Sequence, residues 1–250
     1  MKHFVKYLLF PPTCAGCGER FDVFAEEEIP AFCLKCRVAW EAAVTAPCEL
    51  CGRALSKCTC MPELLRQSGC SELHKLCRYE PERRKRIGTH TVLILKDRRV
   101  MCVFDFFGGE FVYGLSTDNA VVTYVPRSRE GASRAGFDQG KELARALAKH
   151  GGYPFLSLFS RRGGAEQKTL TAEERLANVR RSVSLRREYR GGELSSLAGK
   201  TVLLVDDVVT TGATMAVCTG FLLAAGAARV VGVSVAVDFR GEDTNSDDTD

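Results

Sequence analysis

The chain of 250 residues is 45% hydrophobic and 26% charged with a net charge of +4, the composition of a globular protein with room for one sizeable domain and a small one. No apolar run approaches the ~18 residues that a membrane span requires, so no membrane insertion is expected. The opening MKHFVKYLLFPPTCAGC has its apolar run broken by Lys6 and stopped at Pro11-Pro12, which does not make a secretion signal, and the cytoplasm is the expected compartment.

Eight of the twelve cysteines fall early, as CAGC (14, 17), CLKC (33, 36), CELC (48, 51) and CTC (58, 60). Thiols two residues apart aim at one tetrahedral cation, and away from an oxidising compartment such spacing reads as zinc rather than disulfide. Gly18 and Gly52 each follow a knuckle, where the turn calls for positive φ. Residues 1–62 are therefore expected to form a double zinc ribbon. The simplest pairing gives one ion to Cys14, Cys17, Cys33 and Cys36 and another to Cys48, Cys51, Cys58 and Cys60. A crossed pairing stays open, and CTC is tighter than an ordinary knuckle. With little apolar content, the segment would draw most of its folding free energy from metal. Cys70, Cys77, Cys102 and Cys218 lack ligand spacing and read as small buried hydrophobes. His3, His74, His90 and His150 are scattered and read as solvated or hydrogen-bonded side chains.

Residues 63–99 read as a basic bridge. Arg78, Arg83, Arg84, Lys85, Arg86, Lys96, Arg98 and Arg99 stand there against Glu80, Glu82 and Asp97, a solvated face or a phosphate-contacting patch. HTVLIL (90–95) reads as a strand or short helix. From 100 to 240, strand and helix signals alternate. AVVTYVP (120–126) is a β-rich run ended by proline. FDQGKELARALAKH (137–150) sets Leu143, Ala144, Leu147 and Ala148 on one helical stripe, stopped by Gly151-Gly152. KTVLLVDD (200–207), GATMAVCTGFLLAAG (212–226) and ARVVGVSVAV (228–237) read as strand, helix and strand, a right-handed crossover in a parallel sheet. Residues 241–250 form an acidic tail with no apolar residue, expected to be disordered.

The most informative stretch is VLLVDDVVTTGAT (202–214). Two adjacent carboxylates at a strand end repel and are costly to desolvate, so they ask for a ligand. In an open parallel sheet ligands sit beyond the carboxyl ends of the strands. The turn Thr210, Thr211, Gly212, Ala213, Thr214 opens a helix, and free N–H groups and the positive end of the helix dipole make it an anion cradle. A diol for Asp206 and Asp207 and a phosphate for the turn describe ribose 5-phosphate. A P-loop reading fails, because position 194 is Leu and the GKT at 199–201 precedes a strand.

This stretch resembles the phosphoribosyl pyrophosphate-binding motif of type I phosphoribosyltransferases. The resemblance implies that Asp206 and Asp207 hold the ribose hydroxyls and residues 210–214 the 5′-phosphate. The cysteine ribbons, LILK, RAGFDQGKELARALA, EQKTLTAEERLANV and LLVDDVVTTGAT stand in an order similar to that of the ComF family, over residues 14–237. That family has a type I phosphoribosyltransferase-like α/β fold, a parallel sheet flanked by helices, and is tied to natural competence, the uptake of external DNA. The resemblance implies a pyrophosphate loop at Pro126, Arg127 and Ser128, with Arg129 adding charge, and a mobile hood over 161–175. Arg161, Gln167 and Arg175 would meet substrate from that hood, with Asn178 bracing it. The chain departs from the family at Ala135-Gly136-Phe137-Asp138-Gln139, where Arg-Gly-Phe-Asn-Gln is usual and Arg134 is displaced by one. It departs from purine salvage enzymes at Thr210, where they carry an aspartate base.

Two classes of function follow. One is an enzyme that takes phosphoribosyl pyrophosphate and Mg²⁺ and joins an unnamed nitrogen acceptor to C1. The other is a non-catalytic module that holds single-stranded DNA through the ribbons and the basic bridge, with Tyr79, Phe104, Phe106 and Phe107 as the nearby aromatics, beside proteins of the competence machinery. A regulator that senses phosphoribosyl pyrophosphate without turnover shares the first ligand.

Overall fold

The computed structural model describes residues 12–21, 30–97, 100–115, 117–127, 136–162, 172–189 and 196–239. In chain order the first elements are α1 (Leu34–Thr45), α2 (Glu63–Gln67), β1 (Glu72–Arg78), α3 (Ile87–Asp97), α4 (Met101–Gly114) and β2 (Ala120–Tyr124). They are followed by α5 (Gln139–Gly151), β3 (Phe159–Arg161), α6 (Ala172–Ser182), β4 (Val183–Leu185), β5 (Thr201–Val209), α7 (Ala213–Ala224) and β6 (Arg229–Val237).

Four strands form one sheet in the order β1-β6-β5-β2, every neighbouring pair parallel. A parallel sheet is stable only when both faces are covered, and the alternation of side chains decides which residue covers which. Leu203, Val205, Val231 and Val233 join the side chains of α4 and α5 in one apolar core. Val202, Leu204 and Val230 face the other way and join Met215, Cys218 and Leu222 of α7. β5 keeps its pairing with β6 out to Val209 opposite Val237, so Asp206 and Asp207 lie within the last rungs of the ladder rather than just after it. β3 and β4 form a separate antiparallel pair.

The helix expected from the stripe Leu143, Ala144, Leu147 and Ala148 is α5, and all four are buried. The carboxylate of Asp138 caps its start by accepting the Lys141 N–H at 3.2 Å, and Gly152 ends it at φ 68°. HTVLIL lies in a helix, α3. Helix α4 was hidden in the sequence, since MCVFDFFGGEFVYG is apolar on most sides and carries two glycines before its last residue. Its buried side is Phe104, Phe107, Gly108 and Phe111. A Cβ at Gly108 would stand 2.7 Å from the Ala146 carbonyl carbon, so the close α4–α5 packing admits no side chain there.

The stretch expected as a basic bridge supplies α2, the edge strand β1 and α3. β1 pairs with β6 from Glu72 opposite Val231 to Arg78 opposite Val237. Its charges are partly spent on acidic neighbours: Arg83 and Arg86 meet Glu80 at 3.4 and 2.9 Å, and Arg78 meets Glu49. Phe104 and Phe107 are core side chains and offer no stacking surface. The cysteine-rich segment is joined to this body by Trp40 of α1, which is fully buried, stacks on Phe32 at 5.5 Å and meets Phe107 edge-on at 5.2 Å. Cys70, Cys77 and Cys218 are buried as expected, and Cys102 is half-buried. His74 pairs with Glu72 at 2.9 Å and His150 with Asp105 at 3.1 Å. The Nδ1 of His90 is buried with no partner among the described residues, and His3 lies outside them.

Candidate functional site

At the carboxyl end of β5 the chain folds each acid back on its own backbone. Asp206 Oδ1 accepts the Asp207 N–H at 2.9 Å, and Asp207 Oδ1 accepts the Val208 N–H at 2.8 Å. Both acids line a cavity of about 370 Å³. Burial, and then the charge of Asp207, hold the Asp206 carboxyl well above the usual carboxylate range. Asp207 Oδ2 lies 3.9 Å from Lys96 Nζ, which α3 delivers into the cavity across the ring of Tyr79.

The opposite wall comes from the end of β2 and the start of α5. Pro126 and Arg127 leave the strand, and Asp138 accepts the Arg127 N–H at 3.4 Å besides capping its own helix. Burial raises the Asp138 carboxyl as well. The Arg127 guanidinium donates to the buried Gln139 Oε1, and Gln139 Nε2 donates to the Lys96 carbonyl at 2.9 Å. One amide thus ties the strand end, α5 and α3 together. Arg161 of β3 adds a third cation, and its buried Nε–H finds no hydrogen-bond partner among the described residues. Three cations face three carboxyl groups, and an unpaired guanidinium donor calls for an anionic oxygen.

The third wall is the turn into α7. Gly212 caps that helix in the left-handed region at φ 72°, packed beneath by Leu65 and Pro62 of the α2 segment. The Ala216 N–H closes the first helical bond on the Gly212 carbonyl at 2.8 Å, so the N–H groups ahead of it have no partner in the helix. Thr214 reaches the cavity.

Of the residues expected at a site, the cavity brings together Asp206, Asp207, Pro126, Arg127, Arg161 and Thr214. Thr210, Thr211, Gly212 and Ala213 form the adjoining turn without lining it, Thr210 being exposed. Ser128, Arg129, Arg134, Ala135, Gln167, the hood from 163 to 171, the side chain of Arg175 and the tail 241–250 lie outside the described residues. Sequence reasoning passed over Lys96, Asp138 and Gln139 as site residues. Lys96 was counted among the basic charges, and its place at the end of an apolar run was the available signal.

The cysteines gather as two groups, Cys14, Cys17, Cys33, Cys36 and Cys48, Cys51, Cys58, Cys60, with the ligand atoms of each group within 4.8 Å of one another. This is the simplest pairing, and it removes the crossed one. Four thiolates about 2.3 Å from a tetrahedral Zn²⁺ stand about 3.8 Å apart, and Cys17 Sγ to Cys33 Sγ is 3.8 Å. Backbone N–H groups already point at the sulfurs: Gly16 and Cys33 on Cys14 at 3.3 and 3.2 Å, Cys60 on Cys58 at 3.4 Å. Both groups fit zinc. Gly18 and Gly52 have the positive φ expected of the knuckle turns.

Residues 131–250 match the family described as "Phosphoribosyl transferase domain". The parallel sheet with helices on both faces and a cavity at its carboxyl end is the α/β architecture of type I phosphoribosyltransferases. No curated protein matches the chain. Among solved structures it is similar to "the allosteric regulatory enzyme of purine biosynthesis" at 20% identity and a TM-score of 0.39, over 57% of this chain and 30% of that one. It is also similar to TT1426 from Thermus thermophilus at 19% identity and a TM-score of 0.32, over 60% of this chain and 86% of that one. Among the described residues no helix is long and apolar enough to cross a membrane.

Proposed function

We propose that the chain binds 5-phosphoribosyl 1-pyrophosphate and transfers its phosphoribosyl group to an acceptor nitrogen. The observation that carries this reading is one cavity lined at once by Asp206, Asp207, Thr214 at the head of α7, and the cations Lys96, Arg127 and Arg161. A sugar diol suits the acid pair, because a hydroxyl can donate to a carboxylate and accept from a protonated carboxyl. The 5′-phosphate suits the turn 210–214 and the open N–H groups of α7. The three cations take up the charge that develops on pyrophosphate as its bond to C1 breaks and the acceptor nitrogen bonds to C1, the nitrogen's proton passing to the released pyrophosphate or to water.

Mg²⁺ belongs to this reading. Asp206 and Asp207 are oxygen donors of the kind that suits a hard cation, and the raised Asp206 carboxyl is an acid that such an ion would relieve. Such an ion, held on the acid side of the cavity, would supply neutralisation of the pyrophosphate charge.

Calorimetric titration of phosphoribosyl pyrophosphate with Mg²⁺ tests the site. The native chain should bind, and Asp206→Asn with Asp207→Asn should weaken binding by about 100-fold or more, the loss expected when charged partners of a bound ligand are removed. A native chain that releases no heat ends the reading. Pyrophosphate release over a panel of nitrogen acceptors separates an enzyme from a sensor of the same ligand. The motif order similar to the ComF family supports a place in DNA uptake, with competence proteins as partners. For single-stranded DNA, the unspent charges of the α2–α3 stretch support only a salt-sensitive contact, since Phe104 and Phe107 are buried. Gel shifts at low salt with Arg83, Arg84 and Arg86 reversed decide it.

A further inference from the structure

Lys75 lies on β1 with 1% of its surface exposed, an expensive place for a charge. Among the described residues no carboxylate meets it. Its Nζ instead contacts the Cys58 carbonyl at 3.1 Å, the Cys58 Sγ at 3.2 Å, the Cys60 carbonyl at 2.5 Å and the Leu73 carbonyl at 3.4 Å. The ring of Phe239 lies 5.5 Å from the same nitrogen. Three of the four acceptors therefore belong to the Cys-Thr-Cys turn, the compressed half of the second cysteine group.

A buried cation needs a buried anion, and this group supplies one when it holds metal. Four thiolates around Zn²⁺ sum to a charge of −2, and one ammonium against a ligand sulfur offsets half of it. The first group differs: its sulfurs take hydrogen bonds from the backbone of Gly16 and Cys33, and no lysine reaches them among the described residues. The spacing of one residue between Cys58 and Cys60 turns both carbonyls toward one point, and Lys75 occupies that point.

We propose that Lys75 is the positioning residue of the second cysteine group's metal: it sets the Cys58–Cys60 turn and balances the charge of the loaded thiolates. The inference needs only the fit of the cysteines to zinc and stands apart from the phosphoribosyl reading. Metal and sheet then stabilise each other across β1.

The test uses the full chain loaded with two zinc ions and a colorimetric chelator. Lys75→Met should weaken retention of one ion by about 10–100-fold, the range for partners that orient metal ligands, and leave the other as it was. With Co²⁺ in place of zinc, the sulfur-to-cobalt charge-transfer band of the weakened site should move to longer wavelength, because the sulfur orbitals lose a neighbouring positive charge. Unchanged retention and an unmoved band overturn the proposal. Cys51→Ser, which empties the second group, supplies the other arm. Lys75→Met should lower the melting temperature of the native chain, yet leave unchanged or raise that of the Cys51→Ser chain, where the lysine has lost its anion. An equal drop in both backgrounds overturns the proposal. Should Lys75→Met alone fail to fold, rescue by Cys51→Ser is the expected result, and a double variant as unfolded as the single one overturns it.

Discussion

Asp206 sits where its charge is penalised twice, by the core around β5 and by the neighbouring Asp207. A carboxyl raised in the folded state ionises first in the unfolded chain, near its ordinary value of about 3.9. Above that pH the native state alone retains the proton, so stability falls as pH rises toward the folded-state value. Asp206→Asn keeps an oxygen for the Asp207 N–H and removes the penalty. The ligand-free variant should melt above the native chain at neutral pH, by roughly 2–4 °C for each kcal/mol relieved. The gap should close near the ordinary carboxylate value, and thermal melts across pH measure it; a lower melting temperature at neutral pH sinks the assignment. Asp105 works in the opposite sense: its hydrogen bond to Lys149 holds its carboxyl down, stabilising above the ordinary carboxylate value and fading as acid protonates it. Adjacent acids at the end of an apolar run were legible because chemistry alone makes them odd. Lys75 was not, although Leu73 and Cys77 two residues to either side already place it on a buried face. A lysine among lysines and arginines reads as surface.

Among the elements, the turn into α7 has little tolerance. Gly212 adopts a φ of 72°, and a Cβ there would stand 3.1 Å from Leu65 Cβ. Gly212→Ala should destabilise the chain by about 1–2 kcal/mol from the left-handed backbone alone, and should lower affinity for inorganic phosphate or a sugar phosphate. Chemical denaturation and calorimetry report the two effects separately. An unchanged phosphate affinity in a folded variant removes the turn from the site. α5 was readable because its apolar stripe has one clear period and a glycine at its end, and β2, β5 and α7 because their apolar runs are bounded by Pro126, the acid pair, Gly212 and Gly226. α4 was not, being apolar on nearly every side, and β1 lay inside a charged stretch whose burial only pairing with β6 reveals.

Over the whole molecule, the family match begins at residue 131, yet the sheet takes β1 and β2 from before it. A fragment of residues 131–250 leaves β5 and β6 with an unpaired edge on each side and without the apolar side chains of α3 and α4. It should be recovered aggregated, whereas the full chain should be monodisperse in light scattering. A soluble, folded fragment refutes this view of the architecture. Trp40 carries the same lesson from the other end: Trp40→Ala should cost about 3–5 kcal/mol, read from chemical denaturation, because the ring seals the cysteine-rich segment onto α4.

Pro62 and Leu65 pack directly under Gly212, and only Met61 separates Pro62 from Cys60. An oxidant that strips thiolates from the second group therefore releases the anchor of the residues that brace the phosphate turn. Damage that begins at a sulfur has a path two residues long to the sugar end of the cavity, and ligand affinity should register the injury before the sheet itself gives way.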